Sequence, residues 1–281
     1  MMTHDMITAM TNCCQARDVI ALWIVLFMTS TLYPGATALD ESQSKNETLL
    51  HFIWIQPGLS TTKHETGSIK RANADAVAEE WMATLKQKQY KLVFWTDKDI
   101  HDHFPDLVRV LSKISVSAWI SDVLRYHILY QYGGVYLDTD VRAVRDFTKL
   151  TERFRSGFSV CEAPQTEPGA LEPIHTCELL INAIIFAPAR HPALKCAADR
   201  SLAYSMIKVS RGAGSDYALE GTGPPRWTTC VRQKGGIAVL PSWTFLPCPF
   251  SSRDSCNPAA YQNSQHPEIF GMHEWTFSWA K

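Results

Sequence analysis

The segment Ser121–Val141, with the sequence SDVLRYHILYQYGGVYLDTDV, constrains the fold of this 281-residue chain more than any other stretch. Apolar residues recur at helical spacing between positions 120 and 128, which predicts a helix. Gly133 and Gly134 follow, and glycine accepts the left-handed conformation that ends many helices. Positions 135–141 are apolar and β-branched apart from two aspartates, which predicts a buried strand. The segment therefore predicts a helix, a glycine stop and a strand.

The predicted strand ends with two aspartates, Asp138 and Asp140. Side chains two residues apart on a strand point to the same face, so the two carboxylates would lie side by side. Carboxylates at the end of a buried strand are costly unless a cation compensates their charge. We therefore expect a cation between Asp138 and Asp140.

The same spacing occurs a second time, at Asp97-Lys98-Asp99, which follows the apolar run LVFW and leads into a polar stretch. The spacing alone is therefore weak evidence for a metal site. We interpret this second occurrence as a strand-to-helix turn in a solvated loop. His101 and His103 lie close by in the sequence, so a second metal cluster is the less favoured alternative.

The composition is that of an ordinary globular protein, with 46% hydrophobic and 20% charged residues. A chain of this length can build one large domain with a sizeable core. The net charge of −1 gives no electrostatic reason to expect nucleic acid or an anionic membrane surface as a partner.

The N-terminal region differs from the rest of the chain, because no charged residue occurs between Val19 and Leu39. After a leader at 1–18, we expect residues 19–38 to be either a signal anchor or a signal peptide cleaved near Ala38. A polar stem at 39–48 carries an N-glycosylation acceptor at Asn46. Both alternatives place the remaining chain in a secretory lumen: a single-pass type II membrane protein of the Golgi or ER, or a secreted protein.

Six of the eight cysteines follow this region, and an even number suits disulfide bonds in an oxidising compartment. Six cysteines allow three disulfides in 15 pairings, and their spacings match no zinc site. They are Cys161, Cys177, Cys196, Cys230, Cys248 and Cys256.

Patterns along residues 49–281 alternate between strands and helices, which predicts an α/β fold with a largely parallel sheet. Besides the segment described first, we expect strands at Leu49–Ile55, Lys91–Trp95, Phe158–Cys161, Leu179–Ala187 and, as the last strand, Ile237–Leu240. We expect helices at 74–87, 101–113 and 194–207.

Sheets of this kind bind ligands at the carboxyl ends of their strands. The chain has no GxGxxG and no Walker loop, so a bound nucleotide would be held differently from NAD or ATP. It also has no GxSxG elbow, which removes support for a serine hydrolase.

Several separated motifs occur in a fixed order: HFIWIQPG, YKLVFWTD, SDVLRY-x6-GGVYLDTDV, NAIIFAPARHP, TGP and HEWTFSW. On these motifs, from about His51 to Lys281, the chain resembles glycosyltransferase family 32 and its DXD sugar-binding-region relatives, which include fungal-type Golgi mannosyltransferases. It is more distantly similar to the glucosylating domains of clostridial toxins. The third motif carries most of the resemblance.

The resemblance implies a GT-A-type, Rossmann-like single domain over residues 49–281, preceded by the N-terminal hydrophobic segment. It also implies a nucleotide-sugar donor as co-substrate, a divalent metal (Mn²⁺ or Mg²⁺) and retention of the anomeric configuration.

The resemblance also implies roles for individual residues at the donor site. Trp54 would stack on the donor base, or would simply be a core tryptophan. Asp122 would bind hydroxyls of the donor sugar, and Arg125 would contact the sugar or the diphosphate. For these two residues, an ion pair at i, i+3 on the helix surface is the alternative. Asp138 would lie near the ribose and the metal, and Asp140 would bind the metal directly.

Further roles follow for residues in the second half of the chain. Asn182 would lie near the anomeric centre, or would make a structural hydrogen bond. His273 would be a metal ligand, with Glu274 or a packing role for the histidine as alternatives. Ser278 and Trp279 would contact the β-phosphate.

The function expected from the resemblance is a metal-dependent retaining glycosyltransferase that acts on a glycan or glycolipid acceptor. Mannose from GDP-mannose is the first choice, and a galactosyl-, glucosyl- or N-acetylglucosaminyltransferase with a UDP-sugar is the second. Two competing hypotheses are a hydrolase that splits the donor with water and a sugar-binding scaffold without activity. Gly223-Pro224 would shape the acceptor side or form a plain turn. No carboxylate nucleophile stands out in the sequence, so we expect front-face transfer.

Overall fold

A computed structural model describes the ranges 47–60, 69–85, 89–162, 171–212, 219–248, 257–262 and 267–276. The predicted leader, anchor and glycosylation acceptor, and the predicted site residues Ser278 and Trp279, lie outside these ranges. Among the helices of the described ranges, none combines the length and the apolar character needed to cross a membrane.

The described residues form a mixed α/β fold around a six-stranded sheet with the strand order β2-β1-β3-β6-β5-β7. Strands β1, β2, β3, β5 and β7 run in the same direction, and β6 is antiparallel to both of its neighbours. The predicted mostly parallel sheet is therefore confirmed. The strands are β1 (Thr48–Ile53), β2 (Tyr90–Trp95), β3 (Gly134–Leu137), β5 (Phe158–Cys161), β6 (Leu180–Ala187) and β7 (Ala238–Leu240).

Helices cover the sheet, and the one predicted from the first motif is α4 (Ser117–Tyr132). Both flanks of α4 are buried, because α4 lies between the sheet and the helix α6 (Pro192–Ser210). The other helices are α1 (Ile69–Thr84), α2 (Asp97–His103), α3 (Pro105–Leu111), α5 (Thr148–Arg153), α6 (Pro192–Ser210), α7 (Leu219–Thr222), α8 (Pro224–Lys234) and α9 (Pro258–Gln262). Short 3-10 turns occur at Pro57–Leu59 and Ser242–Thr244.

The single helix expected over 101–113 is wrong, because the structure has two helices, α2 and α3, in this region. The break lies at Phe104, which has φ of −134° and ψ of 50°. Pro105 lacks a backbone N–H and disfavours the helical conformation at the residue before it. The proline therefore ends one helix and begins the next.

The strand expected over 135–141 is also shorter than predicted. Strand β3 ends at Leu137, a turn over 138–140 follows, and Val141 begins the separate strand β4 (Val141–Ala143). The aspartates therefore come together in a turn, not by alternation along one strand.

Strand β4 pairs with β8 (Gly271–His273) in an antiparallel two-stranded sheet, in which Val141 lies opposite His273. The expectation that Ile237–Leu240 is the last strand is therefore wrong. A three-residue strand such as β8 carries too little periodicity to be recognised in a sequence.

Two disulfides lie in the described ranges, Cys161–Cys177 and Cys196–Cys230. The first joins the end of β5 to the segment before β6, and the second joins α6 to α8. Cys248 is disulfide-bonded as well. The sequence alone left this pairing open among 15 combinations.

Two glycines with the same backbone conformation allow a matched test of the glycine that ends α4. Gly133 ends α4 and Gly235 ends α8, with φ of 66° and 67°. A β-carbon on Gly133 would lie 2.5 Å from the backbone nitrogen of Ala189, whereas on Gly235 it would meet nothing within 4 Å. We expect Gly133→Ala to cost about 2 kcal/mol more unfolding free energy than Gly235→Ala, because only the first overpacks. Urea unfolding of both variants measures the difference, and equal losses would contradict it.

A second prediction concerns the acid stability that depends on His51. Burial lowers the pKa of His51 to about 4, although its hydrogen bond to the Gly133 carbonyl oxygen, 2.8 Å long, acts in the opposite direction. Its Nδ1 accepts a hydrogen bond from Trp95, which fixes the neutral tautomer. The unfolded chain binds a proton near pH 6.5 and the folded chain only near pH 4. The free energy of unfolding therefore falls by about 3 kcal/mol as the pH decreases from 6.5 to about 4.

We expect His51→Gln to be less stable at neutral pH but to show a flatter loss of stability as the pH falls through the same window. Unfolding free energies of both proteins across this window measure the effect. Parallel pH curves would contradict the assignment to His51.

Candidate active site

The predicted site residues gather at the edge of the sheet where β1, β3 and β5 end, here called the site edge. Trp54 follows β1 and Asp138 follows β3. Because β6 is antiparallel, its beginning lies at the same edge and brings Asn182 there. A cavity of about 620 Å³ opens at this edge. Its lining includes Trp54, Asp122, Arg125, Asp138, Asp140, Glu162, Asn182, His273 and Trp275.

Arg125 is the central cation of this cavity and is almost fully buried. Its guanidinium lies 3.2 Å from a carboxylate oxygen of Asp122 and 3.2 Å from one of Asp138. It also donates a hydrogen bond of 2.7 Å to the carbonyl oxygen of Asn182. Burial alone would lower the pKa of Arg125, but the surrounding carboxylates raise it above its usual value. The side chain therefore stays charged and joins α4 to the ends of β3 and β6.

Asp122 lies opposite Asn182 in the buried wall of the cavity. The Asn182 amide donates hydrogen bonds to Asp122 (2.8 Å) and to the hydroxyl of Tyr126 (3.0 Å). The Thr222 hydroxyl donates to the other Asp122 oxygen at 3.1 Å. Burial raises the pKa of Asp122 to about 6, although Arg125 and these hydrogen bonds act in the opposite direction. The ion pair at i, i+3 thus exists, but it is buried instead of lying on the helix surface.

Asp138 lies between Arg125 and Tyr136 and keeps part of its side chain exposed to the cavity. The Tyr136 hydroxyl donates a hydrogen bond to its carboxylate, and the Arg125 guanidinium lies 4.7 Å from the centre of the Tyr136 ring. Burial raises the pKa of Tyr136 well above its usual value, so this hydroxyl remains a donor. These contacts fix one side of Asp138 and leave the other toward the cavity.

Asp140 is held by the segment that follows β8. The backbone N–H and hydroxyl of Thr276 donate to its carboxylate at 3.0 and 3.1 Å, and His273 Nε2 lies 3.2 Å from the other oxygen. Burial alone would raise the pKa of Asp140, but His273 and Thr276 lower it to about 2. Asp140 is therefore ionised at neutral pH and is a strong oxygen ligand.

Asp138, Asp140 and His273 form a group that we call the metal triad. One ligand atom from each lies within 4.8 Å of the other two. Two carboxylates and one imidazole suit Mn²⁺ and, with less preference for nitrogen, Mg²⁺. The Nε2 atom of His273 lies 3.2 Å from Asp140, so in the neutral ring this nitrogen can join the carboxylate oxygens around one ion. The residues present therefore fit a divalent cation.

The rival ligand Glu274 has another role in the structure. Its carboxylate lies 3.3 Å from Arg142, which also pairs with Glu80 at 2.6 Å. His273, and not Glu274, contributes the third member of the triad. Trp275 packs against the His273 ring with 4.2 Å between ring centres.

The second Asp-x-Asp forms the start of α2. Asp99 accepts hydrogen bonds from the backbone N–H and the hydroxyl of Thr96, which is a capping box. Asp97 is buried and accepts from the backbone N–H of Gln56 at 3.0 Å. The strand-to-helix turn is thus confirmed, and the solvated loop is wrong for Asp97. His101 and His103 contact the Leu59 carbonyl oxygen and the Tyr132 hydroxyl.

The structure adds site residues that sequence reasoning missed. Tyr136 orients Asp138, and Thr276 holds Asp140. Glu162, directly after β5, lines the cavity as well. Tyr136 could have been found from its position two residues before Asp138, because the strand predicted over 135–141 places both side chains on one face. Thr276 and Glu162 are brought to the site by the pairing of strands that are distant in the sequence. The residues around them therefore carry no sequence pattern that indicates a site.

Comparison with known proteins supports this interpretation. Residues 63–156, about a third of the chain, match the family described as "Glycosyltransferase sugar-binding region containing DXD motif". A stretch of 83 residues is 31% identical to inositol phosphoceramide mannosyltransferase 3 of Schizosaccharomyces pombe. That match covers 26% of this chain and 23% of the relative, so the chain spans about a quarter of the relative's length.

Two solved structures align with most of this chain at low sequence identity. Mouse xyloside xylosyltransferase 1 aligns with a TM-score of 0.46 at 14% identity, over 81% of this chain and 97% of that chain. The PaToxG glycosyltransferase aligns with a TM-score of 0.43 at 16% identity, over 79% and 77%. The family match and the relative confirm the resemblance predicted from the motifs, and they support a transferase.

A prediction about the metal triad uses the two Asp-x-Asp motifs as a matched pair. We expect Asp140→Asn to weaken Mn²⁺ binding at least about tenfold, because it removes a charged ligand. Asp99→Asn should leave Mn²⁺ binding unchanged and cost less than about 1 kcal/mol of stability, because the amide oxygen can still accept from Thr96 and only the negative charge in the first turn of α2 is lost. Isothermal titration with Mn²⁺ measures both variants. An equal effect of the two substitutions on Mn²⁺ affinity would contradict the assignment.

Proposed function

We propose that this protein is a metal-dependent retaining glycosyltransferase that moves a hexose from a nucleotide sugar to a hydroxyl of a glycan or glycolipid. The observation that carries the proposal is the metal triad beside the buried Arg125 in one cavity. A divalent cation and an arginine together can compensate the charge of a nucleoside diphosphate. The match to a DXD sugar-binding region supports the same function.

GDP-mannose is the proposed donor, and UDP-glucose, UDP-galactose and UDP-N-acetylglucosamine are the alternatives. The partial match to a mannosyltransferase favours mannose. Trp54, half-buried at the end of β1, would stack on either base and does not distinguish them. The name of that relative suggests a phosphoinositol sphingolipid as the acceptor class.

In the proposed reaction, the oxygen of an acceptor hydroxyl bonds to the anomeric carbon while the bond from that carbon to the donor phosphate oxygen breaks. The hydroxyl proton passes to the departing phosphate oxygen, so attack and departure occur on the same face. When bound, Mn²⁺ or Mg²⁺ supplies positive charge that stabilises the departing diphosphate.

The residues of the chain provide binding and orientation. Arg125 adds fixed positive charge beside the triad. Asp122 and Asn182, which are held rigidly by their mutual hydrogen bond, would orient the donor sugar. Ser278 and Trp279 are proposed to contact the β-phosphate, as the resemblance implies. A trapped covalent glycosyl-enzyme would contradict front-face transfer.

We further propose that the domain works in the lumen of the Golgi or ER, anchored through residues 19–38 or released after cleavage near Ala38. The disulfides Cys161–Cys177 and Cys196–Cys230 support an oxidising compartment.

The proposed function is tested by a donor screen on the purified protein. Nucleotide release from the four donors is followed with Mn²⁺ and with EDTA, beside Asp140→Asn as the inactive variant and Asp99→Asn as its control. We expect Mn²⁺-dependent release from one donor, GDP-mannose first, that is lost in Asp140→Asn and kept in Asp99→Asn. The absence of both release and Mn²⁺-dependent donor binding would contradict the proposal and favour a sugar-binding scaffold.

A further inference from the structure

Glu162 is a cavity carboxylate to which the proposed donor site gives no role. It is the first residue after β5, and β5 runs in the same direction as β1 and β3. Its side chain therefore starts at the site edge, together with Trp54 and Asp138. It lines the same cavity as the metal triad and Asn182.

Two contacts hold the backbone at Glu162, one at its own N–H and one at the residue before it. Its N–H donates to the carbonyl oxygen of Leu179 at 2.8 Å, which extends the pairing of β5 with β6. The preceding residue, Cys161, is joined to Cys177 by a disulfide. These contacts tie the start of Glu162 to the sheet, which favours a defined position for a binding side chain.

The carboxylate of Glu162 differs from the other acidic groups of the cavity. Asp122 and Asp138 pair with Arg125, and Asp140 accepts hydrogen bonds from Thr276. For the side chain of Glu162, the described ranges contain no hydrogen-bond donor and no ion-pair partner. Burial raises the pKa of Glu162, while His273 across the cavity acts in the opposite direction. Among the described residues this half-buried carboxylate is therefore one whose side chain is open to a ligand in the cavity, and carboxylates of this kind are common at binding sites.

The strand order indicates which ligand Glu162 meets. Along the site edge, Trp54 follows β1, Asp138 follows β3, Asn182 lies on β6 and Glu162 follows β5. A nucleotide sugar with its base on Trp54 and its diphosphate at the triad would place its sugar beside Asn182. The next position along the edge, that of Glu162, then faces the molecule that attacks the sugar.

We propose that Glu162 binds the attacking hydroxyl group, so that it orients the acceptor in the cavity. A carboxylate accepts hydrogen bonds from hydroxyl groups and repels phosphate, so the group it binds is a neutral sugar or polyol hydroxyl, or water in donor hydrolysis. The inference rests on the proposed function, because the identity of the attacking group follows from it.

The test separates donor binding from turnover in Glu162→Gln and Glu162→Asp. The control is Glu178→Gln, which changes an exposed glutamate between the same two strands. Donor affinity is measured by titration of GDP-mannose and the three UDP-sugars with Mn²⁺. Turnover is measured as nucleotide release to water and to three probes: myo-inositol, methyl α-mannoside and lactose.

For Glu162→Gln we expect unchanged donor affinity and a loss of nucleotide release of about tenfold to a hundredfold, the effect of one hydrogen bond to a charged group. Where a probe is glycosylated, its KM should rise. Glu162→Asp, which keeps the carboxylate, should recover part of the rate, and Glu178→Gln should match the wild type. Circular dichroism and thermal unfolding show whether each variant is folded.

Three results would overturn the inference: unchanged release in Glu162→Gln, loss of donor affinity in the same variant, or a covalent sugar adduct on Glu162 detected by mass spectrometry. A wild-type protein that binds donor but releases no nucleotide to water or any probe also counts against it, because no hydroxyl group then reaches the sugar. A wild-type protein that binds no donor contradicts the proposed function itself, which keeps the two failures apart.

Discussion

The site depends on the burial of one charge, the guanidinium of Arg125. A buried cation is tolerated only when carboxylates and hydrogen-bond acceptors surround it. Here Asp122, Asp138 and the Asn182 carbonyl oxygen provide them. These groups come from α4, from the end of β3 and from β6, so the same contacts that compensate the charge also fix the relative positions of three elements. Stability and site geometry thus share one interaction.

The sheet topology places further candidate site residues beside this network, along one edge of the sheet. Parallel strands end at the same edge of the sheet, so Trp54 and Glu162 lie at the same edge as Asp138. The reversed strand β6 contributes Asn182 from its beginning. The small sheet of β4 and β8 then places His273 against Asp140. Ligands along such an edge contact residues that are far apart in the sequence but ordered in space.

Features that depend on residues close together in the sequence could be predicted, and features that depend on distant residues could not. The helix α4, its glycine stop and most strands could be predicted, because apolar periodicity and glycine conformation act locally. The end of β3 at Leu137 could not, since alternation does not show where a ladder of hydrogen bonds stops. The break at Phe104 could have been predicted from Pro105, because a proline disfavours the helical conformation at the residue before it. The prediction of one helix over 101–113 did not take this proline into account.

In the candidate site, some residues could be predicted from the family resemblance of the motifs but not from apolar periodicity or residue spacing. The clustering of Asp138 and Asp140 with His273 depends on the pairing of β4 with β8, which lie far apart in the sequence. Glu162 was missed because a glutamate after a short strand has no distinguishing pattern. Its exposure to the cavity is a property of the assembled sheet alone.

The most direct test of the account is a crystal structure of the protein with Mn²⁺ and GDP, with the ion located by its anomalous scattering. We expect one strong Mn²⁺ peak bound to carboxylate oxygens of the metal triad, with the diphosphate on the ion and the base against Trp54. A peak away from Asp138 and Asp140, or a nucleotide bound outside this cavity, would contradict the account.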